Sequence, residues 1–186
     1  MPPPKKAAKK AVKKAAKHHS DHRQVNDLRR AYEHMSRVEI LRKSLKLSDA
    51  KTVTALAAVA RQLLESGSNQ EAADLLRGSE HLSFAALADE DSKKVQLSDV
   101  LVQSITEHFD ELMKRADEHW KDHEEGPGAL TAIYNSSRKN ATKAFKHGAY
   151  HQALEFARAA EALAYVRQHG PHKQEHGKKT LKLTAL

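Results

Sequence analysis

Seven lysines stand at Lys5, Lys6, Lys9, Lys10, Lys13, Lys14 and Lys17, with no acidic residue among them. Ammonium groups at this density displace the counterions condensed on a phosphate backbone. Lysine in such a run reads no base edges, so the binding expected is to nucleic acid without sequence preference. The rows Lys5, Lys9, Lys13, Lys17 and Lys6, Lys10, Lys14 repeat every four residues. On a helix they share one side, with Ala and Val12 largely opposite. No Trp, Phe or Leu lies on that opposite side, which argues against insertion into a membrane surface. The plain alternative is a solubilising tail or a general polyanion contact.

Thirteen histidines raise the question of a metal. His119 and His123 stand one turn apart, as do His147 and His151 if a helix ran through Gly148. His18, His19 and His22 cluster near one end of the chain, His169, His172 and His176 near the other. The segment from His119 to His123 lacks the glutamate that a zinc hydrolase places after its first histidine. No Glu-x-x-His pair of the di-iron bundle type is present. Neither a metal nor a cofactor is therefore expected, and most histidines read as solvated surface groups. Glu33-His34, Glu80-His81, Glu107-His108 and Glu118-His119 repeat one dipeptide. Adjacent helical residues do not face one another, so none of these is a good acid–base couple. Trp120, the sole tryptophan, reads as a core anchor. There is no glycine-rich phosphate loop and no serine in a nucleophile-elbow setting.

The elements that must carry these residues follow from composition and period. The chain has 186 residues, 39% of them apolar and 5% aromatic, with abundant Ala, the strongest helix former. It has no cysteine, which excludes disulfides, thiolate metal sites and cysteine nucleophiles and makes a cytoplasmic location the default. The longest apolar stretch, around Val53 to Ala60, falls far short of the ~20 residues of a membrane-spanning helix. No apolar run follows the N-terminal charge, so it is not a signal peptide. The net charge of +8 is unevenly placed. Lys178, Lys179 and Lys182 join the seven N-terminal lysines. Taking these ten from the 32 Lys and Arg leaves 22 in residues 18–177, against all 24 acidic residues, so the body is about −2. A near-neutral body thus carries cationic ends.

Pro2-Pro3-Pro4 and the Lys/Ala run have too little apolar surface to offset their ordering entropy, so residues 1–20 are expected to be a disordered arm. A helical domain is expected over 21–170. In its first helix Val25, Leu28, Tyr32, Met35, Val38, Leu41 and Leu45 make the inward row. Ser48-Asp49 is expected to cap a second helix over about 49–66, with Val53, Leu56, Ala60, Leu63 and Leu64 inward. Gly67 stops it. Ser68 and Glu71 have capping-box spacing and open a third helix, to about 88, with Ala72, Leu75, Leu76, Ser79, Leu82 and Ala86 inward. After a polar linker, Ser98-Asp99 opens a fourth, with Leu101, Ile105, Phe109, Leu112, Ala116 and Trp120 on one stripe. Gly126-Pro127-Gly128 ends it, a fifth runs to about His147, and Gly148 turns the chain into a sixth, about 149–169. Residues 171–186 are expected to be a flexible tail.

Sliding the chain by 81 residues matches Ala60 with Ala141, Leu64 with Phe145, Gly67 with Gly148, Ala72 with Ala153, Asp74 with Glu155, Arg77 with Arg158, Glu80 with Glu161, Leu82 with Leu163 and Phe84 with Tyr165. The first and fourth helices echo each other at a step of 74, Tyr32 to Met35 against Thr106 to Phe109. The fold class expected is all-α: a six-helix bundle built from a duplicated three-helix unit, over about 21–88 and 98–169. A single unit often cannot bury its whole apolar face, and two stacked copies can.

The run Ala144-Phe145-Lys146-His147-Gly148-Ala149-Tyr150-His151-Gln152-Ala153-Leu154-Glu155-Phe156, with Ala160 beyond, resembles the core of a tetratricopeptide hairpin. In that resemblance Gly148 and Tyr150 make the turn, and Ala153 and Ala160 lie where the helices touch. The weaker copy keeps Gly67 and Ala72 and lacks the aromatic. The resemblance implies binding of a protein or peptide, with no catalytic residue carried over. The arm is similar to the lysine-alanine tails of linker histones. Arg29-Arg30-Ala31-Tyr32-Glu33-His34 has the Arg-to-His spacing of the HEPN nucleic-acid-cleaving family, which makes Arg29 and His34 the alternative catalytic pair. The function expected is that of a non-enzymatic interaction protein: a helical body for a protein or peptide and an arm that associates it with nucleic acid. A HEPN-like ribonuclease and a purely structural helical protein are the alternatives.

Overall fold

The computed structural model describes residues 5–88, 97–121 and 128–168, with side chains described for those from His22 to Val166. The expectations for residues 1–4, 89–96, 122–127 and 169–186, and for the side chains of the N-terminal lysines, lie outside the described residues. Over 5–20, expected as part of a disordered arm, the backbone is instead the first stretch of a helix, in keeping with the helix propensity of Lys and Ala. Among those that are described, six α-helices run in order: α1 (Lys5–Leu41), α2 (Leu47–Glu65), α3 (Asn69–Leu87), α4 (Asp99–Lys121), α5 (Gly128–Lys146) and α6 (Tyr150–Gln168). A 3-10 turn, Arg42–Ser44, links α1 to α2. The described residues include no strand. The all-α six-helix bundle is the architecture that the hydrophobic period dictates.

Two helices form the centre. α3 packs on α1, α2 and α6, and α6 packs on α3, α4 and α5. Contacts across the central pair join Arg77 to Tyr165, Gly78 to Leu163, His81 to Glu155 and Ala85 to Gln152. Residue numbers rise on one helix as they fall on the other, so α3 and α6 are antiparallel. The approach is close because the side chains are short. Ala153, Ala157, Ala159, Ala160, Ala162 and Ala164 of α6 are all fully buried. Gly78 sits against Leu163, where a Cβ would come within 3.0 Å of Cδ2.

The two hairpins turn in the same way. Gly67 and Gly148 have φ of +82° and +74°, a conformation in which an L side chain costs about 1–2 kcal/mol. At the first turn the Ser68 N–H donates to the Leu63 carbonyl at 2.8 Å and the Gly67 N–H to that of Leu64 at 3.0 Å. At the second, Ala149 donates to Ala144 and Gly148 to Phe145, each at 3.0 Å. Both helices thus end in a Schellman motif, which satisfies carbonyls that the helix leaves open.

Several local expectations are corrected. On α1 Val25 and Tyr32 are exposed, at 63% and 56%. The face turned to the core carries Asp27, Ala31 and Val38, because α1 meets only α3 closely and short residues are needed there. Leu45 lies beyond the helix in extended backbone and packs on the core from outside. On α4 Leu101 is 47% exposed, whereas Phe109, Leu112 and Ala116 are buried. The position before α2 is Lys46, with Ser48 and Asp49 inside the first turn, and neither Lys46 nor Ser68 makes a side-chain cap. Ser98 does cap α4, accepting from the Leu101 N–H at 3.4 Å.

Candidate functional site

The inward-facing charges lie along the helices that flank and form the centre. Glu80 of α3 is buried against α1 and uses both oxygens. Oε2 lies 2.6 Å from Nδ1 of His34, and Oε1 accepts from Nη1 of Arg37 at 3.2 Å. Glu155 of α6 is built alike: Oε2 lies 2.7 Å from Nδ1 of His81, and Oε1 accepts from Nη1 of Arg158 at 2.7 Å. An ionised carboxylate only accepts, so each imidazole carries its hydrogen on Nδ1. Burial acting alone would raise the Glu80 carboxyl. The His34 hydrogen bond and charge, with Arg37, outweigh it and hold the group below the ordinary 4.5. Glu155 is held low in the same way, by His81 and Arg158 against burial.

The reading of the Glu-His dipeptides as independent surface positions is corrected for His34, Glu80 and His81, which face inward and are paired. His34 does not pair with Glu33, nor His81 with Glu80. Each reaches across to the next helix, as adjacency on one helix requires. Arg115 of α4 makes an ion pair with Glu161 of α6 at 2.8 Å, although its Nε–H does not point at the oxygen. Arg138 pairs with Asp117 at 2.7 Å between α5 and α4. Beside it, the buried Tyr134 hydroxyl donates to the Ala116 carbonyl or Asp117, and its ring stacks on Trp120 at 3.8 Å. Burial first, then the Asp117 carboxylate, pushes that phenol far up, so it stays a donor.

A step of 81 residues relates many of these contacts. It carries the Leu63–Ser68 and Leu64–Gly67 turn bonds onto Ala144–Ala149 and Phe145–Gly148. It carries the Asp74–Arg77 ion pair onto Glu155–Arg158, and His34–Glu80 onto Arg115–Glu161. For α1 and α4 the contacts therefore follow 81, not the step of 74 at which their sequences echo.

The residues expected to matter are placed as follows. Ala72, Ala153 and Ala160 are fully buried, and Tyr150 meets the Phe145 ring edge-on at 5.3 Å. His34 faces inward to Glu80, whereas Arg29 is two-thirds exposed and pairs with Glu33. The fold does not bring Arg29 and His34 together. His119 tilts onto Tyr165 at 4.2 Å, and His123 lies outside the described residues. Among the described residues no three His, Asp or Glu side chains converge as metal ligands, and no described helix is long and apolar enough to cross a membrane. Lys5, Lys6, Lys9, Lys10, Lys13, Lys14 and Lys17 have side chains outside the description. Missed from sequence were the partners of Glu80 and Glu155. The signal was present: both glutamates fall in runs of otherwise small or apolar inward residues, where a charge needs a partner.

The buried carboxylates set an acid limit on stability. Their folded values lie below the unfolded value, so their contribution is complete above about pH 4.5 and is lost as pH falls below it. Urea midpoints measured from pH 7 to pH 3 should fall steeply on the acid side. The Glu80→Gln, Glu155→Gln double variant should be less stable at pH 7 and show a flatter acid limb. An unchanged acid limb would place the titrating groups elsewhere.

These features define an all-α bundle of two three-helix halves joined through α3 and α6. No family model, curated protein or solved structure matches the chain.

Proposed function

We propose that this protein is a non-enzymatic helical interaction protein. Its lysine-rich arm binds nucleic-acid backbones without sequence preference, and its tetratricopeptide-like hairpins hold a protein or peptide. The observation that carries the reading is the separation of charge: seven lysines without an acid in residues 1–17, on a body of about −2. Such a segment meets phosphates while the body is free for another partner.

The absence of an enzymatic role is supported by what the inward histidines do. His34 and His81 are held by buried carboxylates at helix–helix contacts, and Arg29 points away from His34. A duplicated origin is supported by the common step of 81 in turns and ion pairs. A protein partner is supported by α1, whose Val25, Tyr32 and Ile40 project into solvent on the side away from Ala31 and Val38.

The test is what accompanies the full chain on purification. Without nuclease it should carry mixed-sequence nucleic acid, seen as excess absorbance at 260 nm, and lose it in high salt. Protein that is free of nucleic acid in low salt, before any nuclease, would contradict the reading.

A further inference from the structure

The body is near neutral as a whole but not in each part. Between Glu125 and Glu155 the chain has no acidic residue, while Arg138, Lys139, Lys143 and Lys146 fall within it. All four lie on α5. Arg138 is turned to α4 and neutralised by Asp117. Lys139, Lys143 and Lys146 are exposed, and none makes an ion pair among the described residues. At 100° per residue they fall within one narrow sector of α5. Ala141 and Ala144, which pack toward α6, fall on the opposite side. Asn135 and Ser136 are exposed on the same outer face and add neutral donors of the kind that bond phosphate oxygens.

The first hairpin supplies an internal control. The same step of 81 sets α2 against α5, and it places Ala58, Gln62 and Glu65 opposite Lys139, Lys143 and Lys146. Those three are exposed as well. Packing of the hairpin therefore asks for no positive charge at these positions, and of the two hairpins only the second carries a cationic face there.

We propose that the outward face of α5, through Lys139, Lys143 and Lys146, is a second and folded contact for a duplex nucleic-acid backbone. The reach is of the right order: Lys139 to Lys146 covers about 10 Å of helix, the axial distance between the first and fourth phosphates of one strand at about 3.4 Å per nucleotide. Three ammonium groups on one face of α5 engage phosphates within this span, whereas the arm wraps further along the same duplex. This rests on the arm's nucleic-acid reading, and the experiment separates the two.

Binding of a labelled mixed-sequence duplex is followed by fluorescence anisotropy over a salt series. The chains are the intact protein, the deletion of residues 1–17, the Lys139→Ala, Lys143→Ala, Lys146→Ala variant, and the deletion combined with that variant. A control removes equal charge elsewhere: Lys43→Ala, Lys46→Ala, Lys51→Ala, all exposed. Circular dichroism checks that each variant keeps its fold. The α5 variant should lower the salt slope by about 2.7, at 0.9 per phosphate contact, and the control should leave it unchanged. Residual binding of the arm-deleted chain should vanish when the α5 lysines are also removed. Equal slopes for the intact and α5-variant chains overturn the proposal, as does an equal loss in the control. If arm deletion removes all binding and the α5 variant none, the arm reading stands and this one falls; the converse result reverses that. Capture by phosphatidylserine vesicles that depends on these lysines, with duplex binding untouched, also overturns it.

Discussion

Replacing Leu163 with alanine is expected to destabilise the protein by about 3–5 kcal/mol. Leu163 is fully buried in α6 at the antiparallel contact with α3. Removing three carbons loses their transfer energy, and the remaining cavity adds to the cost to the extent that its walls cannot collapse. The walls here are poor at collapsing. Gly78 has no side chain, and Ala160, one turn before Leu163 on the same face, is too short to swing inward. The same geometry predicts a non-additive partner. Gly78→Ala alone puts a Cβ 3.0 Å from Leu163 Cδ2, which offsets the roughly 1 kcal/mol of helix propensity that alanine gains over glycine. In the Leu163→Ala background the obstruction is gone, so Gly78→Ala should then stabilise. Urea denaturation of the four chains measures the coupling, expected within about 0.5–3 kcal/mol. Additive effects would show that α3 and α6 do not meet at this pair.

Deleting residues 1–17 is expected to have the largest effect on binding and almost none on the stability of the bundle. The first buried side chain described on α1 is Asp27, and the core residues Ala31 and Val38 lie further on. The unfolding midpoint should thus change little, although the amide circular dichroism loses the contribution of the helix preceding residue 18. The deletion lowers the net charge from +8 to +1, since seven lysines go and no acid does. What remains is the α5 face and the C-terminal Lys178, Lys179 and Lys182, with a body over 18–177 of about −2. Most affinity for arbitrary duplex should therefore be lost. Retained affinity with a changed unfolding midpoint would reverse the roles assigned to arm and body.

Much of this architecture was legible from residue type and spacing. Gly67 and Gly148 marked both turns, because few other residues take positive φ cheaply. The rows Val53, Leu56, Ala60, Leu63 and Phe109, Leu112, Ala116 marked core faces by their period. The face of α1 was legible only in part. Val38 and Met35 of the expected row do meet the core, but Val25 and Tyr32 are exposed, because the central helix needs a close neighbour and Ala31 allows closer approach than Tyr32. The cross-helix pairs were not legible: His34 lies 46 residues from Glu80, and His81 lies 74 from Glu155. Sequence marks a glutamate in an inward row as needing a partner but does not say which helix supplies it. The α5 face was hidden by summation, since the acids of α4 cancel its charge in any total for the body. An acid-free stretch from 126 to 154 is plain once charge is followed along the chain rather than added up.

The salt dependence of duplex binding tests the arm most directly, measured on the intact chain, the chain lacking residues 1–17, and a chain with the arm scrambled at constant composition. If all seven lysines engage phosphates, deletion should reduce the slope of log affinity against log salt by about 6. The intact chain should then weaken on the order of 10³-fold or more between 50 and 200 mM salt, and the deleted chain far less. Scrambling should leave affinity nearly unchanged if the arm acts as a flexible polycation, and weaken it if the four-residue lysine rows bind as a helix. Equal affinity and equal slope for the intact and deleted chains would contradict the arm's assignment to nucleic acid.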